Sequence, residues 1–288
     1  MKKTDTCPLC HSSINTKYWA LKGYRLSKCS NCFFVWDPFP HDNILSQYEK
    51  NYYVNDNPKG GYANYFEGMR INRQTFTDRL RKISRKTGFK SDYLDVGSAL
   101  GDCLDEAKNL KWTNIQGIEP SVYATKFARN RGLKITNGIL NKNSFKENSF
   151  NIITSQDVLE HITDPLPHLK LINQILKPNG WLFLVTPDIG GLWHKLLQSW
   201  WYHYKPGEHV SYFSKSNLKF SLEKSGFSNV EVYPTYHIMS LEYILNRCQY
   251  YSPQIFGFLL NIARKTGLKD MAFRLYTGEI EAWAQKSP

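Results

Sequence analysis

Two cysteine pairs and one glycine turn are the residues of this 288-residue chain best suited to do chemistry. Cys7 and Cys10 form one C-x2-C pair and Cys29 and Cys32 a second, with 18 residues between the pairs. That is close to the spacing of a zinc site. Each pair turns two thiolates toward one point, and four soft ligands close a tetrahedral Zn2+ site. A closed four-thiolate site leaves no position for a substrate, so the expected metal is structural. His11 could substitute as a ligand, but four thiolates make it a bystander. Six cysteines in a chain of this length do not suggest a disulfide scaffold.

The glycine turn is Tyr93-Leu94-Asp95-Val96-Gly97-Ser98-Ala99-Leu100-Gly101-Asp102. An apolar strand-like run ends in an acidic residue, a small-residue turn follows, and a helical pattern starts at Asp102. Such a turn lets backbone approach a ligand, and the helix N-terminus offers free N–H groups. A dinucleotide fingerprint needs small residues at i, i+2 and i+5. Here i+5 from Gly97 is Asp102, which would meet a pyrophosphate with negative charge. The small residues fall at i, i+2 and i+4: Gly97, Ala99 and Gly101. Glu119 lies 22 residues after Gly97, at the end of the next strand-like run. From there a carboxylate faces the turn across the crevice and can accept both hydroxyls of a ribose. Further on, His209 follows Glu208 in an aromatic-rich stretch. A histidine with a neighbouring carboxylate to tune it is a candidate general base.

These residues need an open α/β sheet to position them. From residue 92 strands and helices alternate, which argues a mostly parallel sheet. Strands are expected near 92–96, 115–118, 133–136, 150–155 and 181–185, with a sixth at 230–233 and a last at 278–284. Loops at the carboxyl ends of such strands form the site. Ser214 is a helix N-cap candidate for 215–225, closed by Gly226. The chain divides into a zinc ribbon over 1–40 and a larger domain over 41–288, joined at Pro38-Phe39-Pro40. A helical insertion is expected at about 237–276, apolar with a basic rim, and serving as a lid, a dimer face or a contact with a membrane surface. A helix over about 64–87 carries Arg70, Arg73, Arg79, Arg81, Lys82, Arg85 and Lys86, which read as an amphipathic helix on the sheet or as a basic face toward phosphate. Tyr48, Tyr52, Tyr53, Tyr62 and Tyr65 would line a substrate entrance or pack between domains.

Five segments in register resemble the class I S-adenosylmethionine (SAM) methyltransferases: DVGSALGD, GIEPS, FNIITSQDVLEHITDP, LKPNGWLFLVTPD and EHVSYFSKSNLKFSLEKSGF. CPLC, then CSNCFFVWDPFP and QYEKNYY, resemble the zinc-ribbon leader of a bacterial subset, some of which methylate sugars on nucleotide carriers. The resemblance implies a Rossmann-like seven-stranded sheet in the order 3-2-1-4-5-7-6, with SAM as cofactor. It places Asp95, Gly97, Ala99 and Gly101 at the methionine end of SAM and Glu119 on its ribose. Gln156 and Asp157 would sit beside the amino acid and sulfonium, with Leu140 in apolar contact with the adenine. It also implies a Glu-His pair at the acceptor, here Glu208 and His209, and a second histidine near the transferred methyl, here His161. Two departures matter: Ala99 stands where glycine is usual, and the segment Gly138-Ile139-Leu140-Asn141 lacks the usual acidic residue.

A formal charge of +12 favours anionic partners such as nucleotide-linked substrates, nucleic acid or a membrane surface. No apolar signal segment follows the charged start, and no run of about 20 apolar residues exists, so the chain reads as cytoplasmic. The leading expectation is methyl transfer from SAM to a small or carrier-linked acceptor, foremost a sugar, by O- or C-methylation. An RNA methyltransferase and a non-catalytic SAM-binding or zinc-ribbon adaptor remain as alternatives.

Overall fold

The computed structural model describes residues 6–21, 24–40, 65–205 and 207–288. Tyr48, Tyr52, Tyr53 and Tyr62 lie outside them. In chain order the elements begin with β1 (Asn15–Leu21), β2 (Tyr24–Cys29), β3 (Val35–Trp36), α1 (Tyr65–Thr87), β4 (Ser91–Val96), α2 (Asp102–Asn109), β5 (Thr113–Glu119), α3 (Val122–Asn130) and β6 (Ile135–Asn137). Then follow β7 (Phe150–Gln156), α4 (Pro165–Ile175), β8 (Leu176–Pro187), α5 (Leu192–Leu197), β9 (Ser211–Tyr212) and α6 (Lys215–Lys224). The chain closes with β10 (Phe227–Ser240), α7 (Leu241–Cys248), α8 (Pro253–Lys265) and β11 (Ala272–Lys286).

Seven strands form one sheet in the order β10-β11-β8-β7-β4-β5-β6. Read from the other edge, this is the expected 3-2-1-4-5-7-6 arrangement. The central strands run parallel and β11 pairs antiparallel with both β8 and β10. Continuous apolar runs make the middle of the sheet, since strands covered on both faces bury every side chain. Leu94, Ile152, Ile153, Leu182 and Leu184 are fully buried. Ser214 caps α6 by accepting from the Asn217 N–H, and the Asn217 side chain accepts in return from the Ser214 N–H. Gly226 follows with φ of +91°. Among the described residues no helix is long and apolar enough to cross a membrane.

The last two strands, β10 and β11, are longer than the sequence pattern suggests. Past Pro234 they continue as a two-stranded ribbon, from Tyr236 opposite Tyr276 to Ser240 opposite Ala272. The expected insertion at 237–276 is thus strand at both ends: His237, Ile238 and Met239 face Leu275, Arg274 and Phe273, residue types that suit a pleated ribbon. Only α7, α8 and a short turn remain as the helical excursion.

The ribbon of cysteines is joined to the larger domain. β1, β2 and β3 form a second sheet whose outer strand is β9, contributed by the segment just after His209. Cys7, Leu9, Phe34 and Trp36 share one core cluster with Leu166, Leu169, Phe213 and Leu218. The division at residue 40 is therefore crossed by strand pairing and by packing.

His168, on α4, is 7% exposed, and burial pushes its imidazole down to about 4. The unfolded chain would hold that proton near 6.5, so it binds more protons than the native chain below that pH. The stabilisation is full above 6.5 and is lost as pH falls toward 4. Urea titrations should show wild type losing about 2 kcal/mol more than His168→Leu between pH 7 and pH 5. Equal losses would place a proton acceptor beside His168 that restores its basicity.

Candidate functional site

The turn after β4 is built around close approaches. Gly97 has φ of +73°, and a Cβ there would lie 2.4 Å from Val158 Cγ2. Gly101 has φ of +86°, and a Cβ there would lie 2.5 Å from Leu133 Cδ1. Ala99 also takes a left-handed conformation, φ +46°. That region is costly for a residue with a Cβ, and it explains why glycine is the better fit at this position.

Glu119 ends β5 and is 4% exposed. Its Oε2 accepts from the Ala99 N–H at 2.9 Å and its Oε1 from the Ser121 N–H at 2.9 Å. The carboxylate is thereby aimed across the crevice at the turn, as the 22-residue spacing suggests. Burial raises its pKa while the two backbone donors oppose the rise. Asp95 lies beneath, accepting from the Thr154 hydroxyl, and burial pushes it up to about 7, with the Glu119 charge adding to the rise. Asp102, which would repel a pyrophosphate, is held in ion pairs with Arg73 at 3.2 Å and Arg131 at 3.3 Å. Leu140 is buried in the main core while Ile139 beside it is exposed.

A cavity of about 410 Å³ extends from Asp102 and the carboxyl end of β7 along the β10–β11 ribbon to α7. Asp157, Glu160, His161, His203, Lys205 and His209 line it, with Trp193, Trp201, Tyr202, Tyr243, Tyr251 and Tyr276 among its walls. Lys205 and Arg247 flank the Tyr202 ring at 5.2 and 5.3 Å. Asp157 has φ of +55°, and burial with the Glu279 charge raises it to about 6.

His161 and His209 meet edge to face, with ring centroids 4.8 Å apart. His161 Nδ1 lies 2.9 Å from the Glu208 carbonyl oxygen. A carbonyl only accepts, so Nδ1 carries the proton and Nε2 carries the lone pair of the neutral ring. Burial lowers His161 to about 4 and His209 well below its usual range. Both rings are therefore neutral near pH 7. Glu208 engages His161 through its main chain, and Glu160 is one of the carboxylates that share the cavity with both rings. Ligand atoms of Glu160, His161 and His209 lie within 4.8 Å of one another, a donor set that could also seat a cation. Glu160 in turn accepts from the Thr186 hydroxyl at 3.0 Å.

Arg79, named above only among the basic residues of α1, also faces the cavity, as do His237 and Glu279, which the sequence reading did not select. Arg79 donates to Gln156 Oε1 at 2.8 Å and lies 3.0 Å from His237 Nε2. His237 contacts the Glu279 carboxylate. Burial works to raise Glu279, but His237, His203 and Arg79 together hold it down at about 2. Gln156 thus faces Arg79 and Cys103. Three of the basic residues of α1 make ion pairs: Arg73 with Asp102, Lys82 with Glu281 and Lys86 with Glu231.

The four cysteines of the ribbon converge. All four Sγ atoms lie within 4.8 Å of one another, with Cys7–Cys32 at 3.5 Å and Cys10–Cys29 at 3.4 Å. Tetrahedral zinc thiolates at 2.3 Å from the metal would stand about 3.8 Å apart, so the cage fits the ion. The N–H groups of Asn31 and Cys32 point at Cys29 Sγ, as they would at a metal-bound thiolate.

The sheet order, the glycine turn and the acidic end of β5 define a class I SAM-dependent methyltransferase fold. The chain belongs to the methyltransferase-domain family Methyltransf_23, which it matches over residues 67–232, more than half its length. A ubiquinone biosynthesis O-methyltransferase of Actinobacillus pleuropneumoniae serotype 7 is 34% identical over 121 residues, 38% of this chain and 51% of that protein. One from Nitrosospira multiformis is 27% identical over 118 residues, 38% of this chain and 47% of that protein. The chain spans about half the length of the curated relatives it matches. Among solved structures, a SAM-dependent methyltransferase from Thermotoga maritima superposes with a TM-score of 0.52 at 17% identity, covering 76% of this chain and 91% of that one. One from Archaeoglobus fulgidus gives 0.50 at 18% identity, covering 76% and 96%.

Proposed function

We propose that this chain transfers a methyl group from SAM to a small-molecule acceptor held in the aromatic-walled cavity. The observation that carries this reading is Glu119, clamped by backbone donors so that its carboxylate faces the turn of Gly97, Ala99 and Gly101. Glu119 would hold the ribose, the turn would pass under the methionine end, and Asp157 would stand beside the amino acid. The cofactor's contribution is a methyl already activated by its sulfonium. The chain's own residues then orient the acceptor and take its proton. His209 is the base we assign, with His161 fixed beside it by the Glu208 carbonyl and Glu160 able to share the proton. Tyrosine and tryptophan walls suit a ring-shaped acceptor, and a sugar hydroxyl, free or on a nucleotide carrier, is the acceptor we favour. The relatives named above are O-methyltransferases, which supports oxygen as the acceptor atom. The four thiolates of Cys7, Cys10, Cys29 and Cys32 would hold one structural Zn2+.

Glu119→Ala should weaken SAM binding by about 1–3 kcal/mol, the loss expected when buried donors are left without their partner. Calorimetry measures this directly, with a melting curve to show that the turn survives. Unchanged affinity in a folded variant would mean that the ribose is held elsewhere.

A further inference from the structure

The helical hairpin at the tip of the β10–β11 ribbon carries an apolar face that the fold does not bury. α7 and α8 pack on each other through Leu245, Leu260 and Ala263. On the far side of α8, Ile255, Phe258, Leu259 and Ile262 follow at helical spacing and are 60, 66, 40 and 41% exposed. Leu268 and Met271 extend the strip at 46 and 48%. α8 is therefore apolar on two faces, and among the described residues only one is packed against a partner. The hairpin lies beyond residues 67–232, the part that matches the family.

The charges around the strip indicate what covers it. Between Leu241 and Tyr276 the chain carries five basic residues, Arg247, Arg264, Lys265, Lys269 and Arg274, and two acidic residues, Glu242 and Asp270; Glu242 pairs with Arg264 at 2.7 Å, which leaves Lys265 and Lys269 as the lysines of the rim. In a symmetric dimer a shared patch meets its own copy, and this basic rim would then face itself. A bilayer with anionic headgroups complements both features, taking the apolar strip into its interface and the lysines and arginines onto its surface. Tyr250 and Tyr251, each 44% exposed at the turn between the helices, are residue types that favour the headgroup level. We propose that the α7–α8 hairpin docks this protein on anionic lipid surfaces through the Ile255–Met271 strip. The inner side of the same hairpin, through Tyr243 and Arg247, walls the cavity, so docking would bring the cavity close to the lipid. The proposal concerns lipid binding alone and stands independently of methyl transfer.

The test is flotation of the full chain with vesicles of phosphatidylcholine alone or with 30% phosphatidylglycerol. The chain should float with the anionic vesicles at least about tenfold more strongly than with the neutral ones, and less so as salt rises. Phe258→Ser/Ile262→Ser should lose about tenfold or more of that binding, since each removes an inserted side chain. Lys265→Glu/Lys269→Glu should abolish the preference for anionic lipid and serves as the second variant should the first fail to fold. Light scattering is run alongside. Failure of the wild-type chain to float with anionic vesicles overturns the proposal. If that chain is also a dimer that Phe258→Ser/Ile262→Ser makes monomeric, the strip is a self-association face.

Discussion

His209→Ala is expected to lower methyl-transfer turnover by about 10²–10⁴-fold, the usual worth of general-base help, while SAM affinity stays within about twofold of wild type. The residue is 2% exposed and stands edge to face with His161 at the cavity. Burial keeps its imidazole neutral near pH 7, so no proton has to leave before it can accept one. The glycine turn proposed to hold SAM is built from other elements, the end of β4 and the end of β5, and does not depend on this ring. The pattern that supports the role is a fall in kcat and kcat/KM together, since the interaction is made only as the proton moves. If turnover survives and SAM affinity falls instead, His209 belongs to the cofactor lid. The base would then lie with His161, His203 or the His237–Glu279 pair.

Cys29→Ser is expected to release the zinc and to lower both thermal stability and turnover, leaving SAM affinity nearly intact. A structural zinc contributes on the order of 10 kcal/mol to the folding of a small isolated module. Here the loss would spread beyond the ribbon. β3 pairs with β9, the Asp37 N–H donates to the Val210 carbonyl at 2.8 Å, and the Val210 N–H donates to the Glu160 carbonyl at 2.8 Å. These bonds run from the cysteine cage to the residues on either side of His209 and His161. The glycine turn shares none of them. Metal analysis with a melting curve checks the first part, and a full zinc complement in Cys29→Ser would remove Cys29 from the ligand set.

What was legible in the sequence followed from short, fixed spacings. The cysteine pairs, the Gly97–Gly101 turn and Glu119 each depend on one strand end or one knuckle, and local geometry leaves them little choice. The same holds for Ser214 as a helix cap. Arg79, His237 and Glu279 were not legible because they come from α1, β10 and β11 and meet only after the sheet closes. Arg79 was hidden among the other basic residues of its helix, three of which serve ion pairs. Adjacency in the chain suggested the Glu208 carboxylate for His209, but it could not show that the Glu208 carbonyl meets His161 or that Glu160 shares the cavity with the histidines. The ribbon's attachment was equally hidden, since Val35 and Trp36 find Tyr212 and Ser211 across some 175 residues of chain.

Calorimetric titration of the intact chain with SAM tests the central claim most directly. The account predicts saturable binding at one site per chain, with a thermal shift equivalent to about 2.7 kcal/mol at a hundredfold excess over Kd. A folded, zinc-loaded chain that gives no binding heat and no thermal shift with SAM would contradict it.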